Sequence, residues 1–210
     1  YSLNKFGGAQ QTFTFSKSFI IRKLLKKNNL KKNISVLDFG CGIGLLHKYL
    51  SDKNIDIYGI DVSKKSLKIA KKNNPRSKLK YFNGKKIPYS NNKFDLIIGS
   101  CVFHHINKKF HKKILKEIKC KLKKNGTLII FEHNPFNPIT RYIFNNNPFD
   151  RKAKLIFPIS FKRTLNELGF NEIKKSYHMF LPFRLNYTYV LEKFLFWFPL
   201  ASQYWISGKK

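Results

Sequence analysis

The chain is 210 residues long, 42% hydrophobic and 25% charged, the proportions of one soluble globular domain that can bury a full apolar core without disulfide or metal staples. Its formal charge of +31 points first to a nucleic-acid or anionic-membrane partner, yet the basic residues are 36 Lys against only 6 Arg, and Arg is the residue suited to bidentate phosphate recognition. Lys, Asn, Ile, Phe and Tyr all have A/T-rich codons, so the charge reads as background with no specific nucleic-acid partner, and peripheral membrane contact is the one association it favours by itself.

The first 33 residues are polar and basic, with a helix expected over Phe15–Lys27. An alternation of strands and helices follows. Strands are expected at Ser35–Phe39, Ile55–Ile60, Leu79–Phe82, Phe94–Ser100 and Thr127–Glu132. Between them the pattern predicts helices over Leu45–Lys53, Lys64–Lys72 behind an N-cap at Ser63, and Lys108–Lys123. In the last of these, Ile114, Leu115, Ile118 and Leu122 share a face, and Lys112, Lys113, Lys116, Lys119 and Lys123 turn outward. Residues 134–159 form a long proline-punctuated connection with a short helix at Ile139–Phe144. Then come a helix at Ser160–Leu168 ended by Gly169, a strand around Phe170–Met179, an aromatic helix over Thr188–Phe198 and a last strand at Gln203–Ser207. The longest apolar run, Phe194–Ala201, falls far short of the roughly 20 residues a membrane-spanning helix needs. Three cysteines with no C-x-x-C pair suggest neither a disulfide framework nor zinc and fit a reducing cytoplasm. The chain opens on Tyr1 instead of Met, so its true start is expected upstream.

This alternation predicts a doubly wound α/β layer structure with a parallel sheet, whose ligands bind outside the carboxyl ends of the strands. That rule selects residues 40–44, Asp61–Val62, Ser100–His105 and Glu132–Asn134. The stretch Val36-Leu37-Asp38-Phe39-Gly40-Cys41-Gly42-Ile43-Gly44 delivers three glycines at alternate positions between a strand and a helix. Glycine permits tight turns and close ligand approach, and the helix start offers free N–H groups. The spacing misses the dinucleotide fingerprint because Leu45 stands where the third glycine belongs. Asp61, at the end of the second strand, is placed to accept both hydroxyls of a ribose.

With Gly59-Ile60-Asp61-Val62-Ser63, the segment Phe94–Ile106 and the segment Leu122–Glu132, this loop resembles the class I S-adenosylmethionine-dependent methyltransferases, and more narrowly the small-molecule type of ubiquinone and menaquinone biosynthesis. The resemblance covers about residues 34–134. It implies a Rossmann-like, mostly parallel seven-stranded sheet with helices on both faces. It also implies one domain over 1–210, whose cofactor core at 34–134 is followed by acceptor-side loop and cap elements at 134–200. On it, Gly40, Cys41, Gly42 and Gly44 pass close to the methionine part of S-adenosylmethionine, and Asp38 positions its amino group. Asp61 holds the ribose, Val62 packs on the adenine, Asn83-Gly84 lies beside it, and Cys101 lies beside the sulfonium. Asn83 departs from the family's usual acidic residue.

The acceptor is read as a small molecule, with a lipid or lipid-linked intermediate included. A non-catalytic cofactor-binding protein is the alternative from another class. A nucleic-acid enzyme is disfavoured because Ser100–His104 replaces the Asn/Asp-Pro-Pro-aromatic sequence of exocyclic-amine methyltransferases, and Asn134-Pro135-Phe136 lies after the wrong strand. Candidates for a general base are His104, His105 and His133 at the ends of the fourth and fifth strands. Glu132 is a further candidate at the same strand end, the alternative being that Glu132-His133 pairs with Lys or Arg across the cleft. No metal is assigned, since no spaced carboxylate set for Mg²⁺ is visible.

Overall fold

A computed structural model of the chain describes residues 7–27, 33–180, 194–195 and 197–210. Its elements in chain order are α1 (Gly7–Lys27), β1 (Ile34–Phe39), α2 (Leu45–Leu50), β2 (Ile55–Asp61), α3 (Lys64–Asn73), β3 (Lys78–Tyr81), β4 (Phe94–Ser100), α4 (His111–Lys121), β5 (Leu122–His133), α5 (Pro138–Asn146), α6 (Pro158–Glu167), β6 (Asn171–His178) and β7 (Gln203–Lys209). The strands form one seven-stranded sheet in the order β3-β2-β1-β4-β5-β7-β6. The first five are parallel, and β7 runs antiparallel between β5 and β6. The order reverses between β1 and β4, which puts the switch-point crevice at the carboxyl ends of those two strands.

The central strands read as continuous apolar runs because both faces are covered. Leu37, Phe39, Ile97, Leu128 and Ile130 share one core with Ile114, Leu115 and Ile118 of α4 and Phe161 and Leu165 of α6. Val36, Leu96, Ile98, Ile129 and Phe131 point the other way, onto Ile21 and Leu25 of α1 and Leu46 and Leu50 of α2. Among the described residues no helix is long and apolar enough to cross a membrane.

Several boundaries differ from the sequence expectation for local reasons. The expected helix over Lys108–Lys123 is shorter: Asn107 caps a 3₁₀ turn at Lys108–Phe110 before α4, and Leu122 is already extended beside Phe94. In the long connection, Asn137 caps α5 through the Thr140 N–H at 2.8 Å, and Pro138 takes its first turn. The outward lysines of α4 are not all idle. Lys119 donates to the Leu168 and Gly169 carbonyls at 2.6 and 2.8 Å and so closes the end of α6, while Lys112 pairs with Glu167 at 2.7 Å. Of the expected aromatic helix over Thr188–Phe198, residues 188–193 and 196 lie outside the described residues.

Candidate active site

The glycine loop leaves β1 with Gly40, Gly42 and Gly44 at φ values of 76°, 52° and 74°, a left-handed backbone that disfavours side chains. Asp61 fastens it. Its Oδ2 accepts the Gly42 N–H and its Oδ1 the Ser63 N–H, both at 2.8 Å, which leaves each oxygen a second lone pair. The glycines serve different ends. A Cβ on Gly40 would sit 2.4 Å from Val102 Cγ2, and one on Gly44 2.8 Å from Asn74 Nδ2, whereas one on Gly42 meets nothing within 4 Å. Gly42 alone of the three faces open space. Cys41 turns a buried thiol inward and spends its N–H on the Ile60 carbonyl; burial and the charges of Asp38 and Asp61 push that thiol up.

Asp38 is buried with its Oδ2 3.2 Å from His47 Nε2, and its Oδ1 has no hydrogen-bond partner among the described residues. An orphaned buried carboxylate oxygen is costly unless a ligand completes it. Set beside an open glycine backbone, it suits the ammonium group of the expected cofactor. Val62 stands exposed at the end of β2. Asn83, also exposed, spends its Oδ1 on the Lys85 and Lys86 N–H groups, so its Nδ2 is the group left to bond an adenine. Gly84 has open space above it.

The second half of the site lies at the ends of β4 and β5. Glu132 is 1% exposed and binds the Phe103 N–H through Oε1 at 2.8 Å and His104 Nδ1 through Oε2 at 2.6 Å. In place of the alternative Lys or Arg partner stands a histidine, because the 3₁₀ turn Phe103–His105 brings His104 to the carboxylate. Burial opposes charge on both groups. Their mutual hydrogen bond and attraction prevail, with His104 held above the usual imidazole range and Glu132 below the usual carboxylate range. His105 is exposed and is pulled down by burial of its ring atoms and by the charge of His104. Asp150, from the connection after α5, places Oδ1 3.5 Å from His104 Nε2 and 3.6 Å from His105 Nε2. The His133 ring lies 5.2 Å from that of His104 and 5.8 Å from that of Phe144.

A cluster of polar side chains lies between α1 and the ends of β4 and β5. Lys17 reaches in to donate to Ser100 Oγ at 3.0 Å and Cys101 Sγ at 3.3 Å, and Gln203 Nε2 approaches the same sulfur at 3.5 Å. Burial alone would raise the Cys101 thiol, but the charge of Lys17 and the charge and hydrogen bond of His133 bring it down to about 6. Cys101 is thus a polar member of this cluster. Gln203 Oε1 and His178 Nε2 are buried and without hydrogen-bond partners among the described residues. The sequence gives no sign of Lys17, Gln203, His178 or Asp150 as site residues, since each arrives from a distant element. Asn134 proves structural: its amide clamps the Pro199 and Ala201 carbonyls at 2.8 and 2.7 Å.

His178 makes one property of this cluster measurable. It faces Ser16 and Lys17 of α1, Phe131 of β5 and Gln203 of β7. Burial, then the Lys17 charge, lowers it to about 3. The unfolded chain binds this proton below about pH 6.5 and the folded chain does not, so stability falls as pH falls. Urea unfolding should show the wild type losing about 2 kcal/mol more than His178→Gln between pH 7 and pH 5. Equal pH dependence in the two proteins would refute the burial of a neutral imidazole there.

Comparison with known proteins agrees with this geometry. A family model described as a methyltransferase domain matches residues 37–130. An uncharacterized protein of Methanocaldococcus jannaschii is 33% identical over 87% of this chain and 76% of its own length. The ubiquinone biosynthesis O-methyltransferase of Pelagibacter ubique is 33% identical over 58% of this chain, which spans half of that protein's length. Among solved structures, a SAM-dependent methyltransferase from Thermotoga maritima superposes with a TM-score of 0.73 at 18% identity, covering 100% of this chain and 94% of its own. One from Archaeoglobus fulgidus gives 0.68 at 18% identity over 92% and 94%.

Proposed function

The chain belongs to the S-adenosylmethionine-dependent methyltransferases, and from that premise we propose that it methylates a hydroxyl group on a small amphipathic acceptor bound at the ends of β4, β5 and β7. When bound, S-adenosylmethionine supplies the electrophilic methyl group and a thioether leaving group. Asp38 Oδ1 accepts from its ammonium group, Gly42 lets its methionine part lie against the backbone, and Asp61 holds the ribose hydroxyls. Val62 packs on the adenine, Asn83 Nδ2 and Gly84 border it, and Cys101 lies beside the sulfonium. These residues fix the cofactor so that the acceptor alone has to be aligned.

The observation that carries the reading of the acceptor is a polar cluster at the strand ends on a chain whose next segment exposes apolar side chains. Lys17, Cys101, His133 and Gln203 form the cluster. Exposed Ile139, Tyr142, Ile143 and Phe149 crown the segment that leaves β5. Such a site suits a molecule with a reactive polar head and an apolar tail. That description includes a lipid-linked intermediate, which the +31 charge would help the protein meet at an anionic membrane surface. The name of the Pelagibacter relative, an O-methyltransferase of ubiquinone biosynthesis, supports oxygen as the acceptor atom.

His133 is the base in this reading. Glu132 occupies Nδ1 of His104, whereas His133 ends β5 and lies against the thiol of Cys101. Against a panel of phenols with alkyl tails and a labelled methyl donor, His133→Ala should lower kcat by about 10²–10⁴-fold with cofactor affinity unchanged. Wild-type kcat in that variant would overturn His133 as base. Cofactor binding with no transfer to any hydroxyl would favour a non-catalytic binding protein or another acceptor atom.

A further inference from the structure

We infer that His104, His105 and Asp150 form a binding site for a divalent transition-metal ion of the zinc class, open on one side to an oxygen of the acceptor. The inference rests on the reading of this sheet edge as the acceptor site. The sequence assigns no metal, because Asp150 joins the two histidines only after the connection behind β5 folds back over the β4 end.

The three groups converge as ligands do. One ligand atom from each lies within 4.8 Å of the others. Asp150 Oδ1 is 3.5 and 3.6 Å from the two Nε2 atoms, too far for good hydrogen bonds. Ligands held about 2.0–2.1 Å from a tetrahedral ion stand about 3.4 Å apart, so both contacts already have the right length. The remaining edge closes by a movement of His105, the one exposed member.

Supporting contacts set each buried ligand. His104 Nδ1 is held by Glu132 Oε2 at 2.6 Å, which fixes the ring's orientation and turns Nε2, whose proton a bound ion would displace, toward Asp150, the arrangement found behind metal-bound histidines. Glu132 is itself anchored by the Phe103 N–H. Asn147 Nδ2 binds Asp150 Oδ2 at 2.5 Å and leaves Oδ1 to face the imidazoles. Two imidazoles and one carboxylate suit a zinc-class ion and leave at least one position for another oxygen. That position would face the acceptor site, since His133 packs on His104, and Val102, the residue before this turn, lies against Gly40 of the cofactor loop.

The test is titration of tag-free full-length protein, stripped with a chelator, with Zn²⁺ in a calorimeter and with Co²⁺ followed by its visible absorption. One ion per chain is expected, with Co²⁺ bands of four- or five-coordinate intensity. His105→Ala, on an exposed side chain, and Asp150→Asn should each weaken affinity by at least about tenfold while thermal unfolding confirms a folded chain. Absence of one-to-one binding, or wild-type affinity in His105→Ala, overturns the site. These readouts need neither cofactor nor acceptor. Metal binding lost in both variants, together with failure to methylate any hydroxyl, would uphold the ion site and overturn the acceptor reading alone.

Discussion

Glu132→Ala should cost about 3–5 kcal/mol of stability, the largest single-residue effect expected outside the apolar core. The carboxylate is enclosed and holds two donors, the Phe103 N–H at 2.8 Å and His104 Nδ1 at 2.6 Å. Alanine strands both in a space closed to water, where each unsatisfied group costs about 1–3 kcal/mol. It also frees the Phe103–His105 turn, whose Phe103 ring is fully buried and stacks on Phe39 at 5.8 Å. Glu132→Gln should be milder. An amide oxygen can still accept the Phe103 N–H, so the loss reduces to the charge-assisted part, about 1.5–3 kcal/mol. Denaturant midpoints for the two variants would rank them. A Glu132→Ala protein as stable as wild type would show that the turn is held by its apolar contacts alone.

The same pair marks where the sequence stops being legible. The strands, the parallel part of the sheet and the glycine loop are written in local signals: β-branched apolar runs, glycines at a strand–helix junction, and an acidic residue ending β2. The site's other half is written in pairings between distant positions. His104 and Glu132 stand 28 positions apart, and Lys17 lies 83 positions before Ser100. Each residue had a credible local role, so periodicity carried no information about its partner. Lys17 was one lysine among 36, with nothing in its neighbours to show that α1 would lower it onto the β4 end. Asp150 looked like a residue of a proline-rich connection. Its place beside the two histidines depends on Asn147, whose side chain accepts the Phe149 N–H and donates to Asp150.

Gly42→Ala and Gly40→Ala should fail in different ways, and the contrast tests the cofactor site directly. Both positions have a left-handed backbone, at φ 52° and 76°, which costs an alanine about 1–2 kcal/mol. At Gly42 that is the whole structural cost, because the added methyl group meets nothing within 4 Å. On the proposed function, the space it enters is the space the cofactor needs. Cofactor affinity should therefore fall about 10–100-fold, the scale of an overpacking cost of 1–3 kcal/mol, with only the small backbone loss in stability. At Gly40 the methyl group would sit 2.4 Å from Val102 Cγ2. Val102 must then shift, and it leads into the turn that carries Phe103 and His104. Gly40→Ala should lose about 2–4 kcal/mol of stability, and any loss of cofactor affinity should follow from that distortion. Paired calorimetry with S-adenosylhomocysteine and urea unfolding separates the two. If Gly42→Ala bound the cofactor product as tightly as wild type, the open space above that glycine would not be where the methionine part lies. Asp38 Oδ1 would then need another partner to explain why it is buried alone.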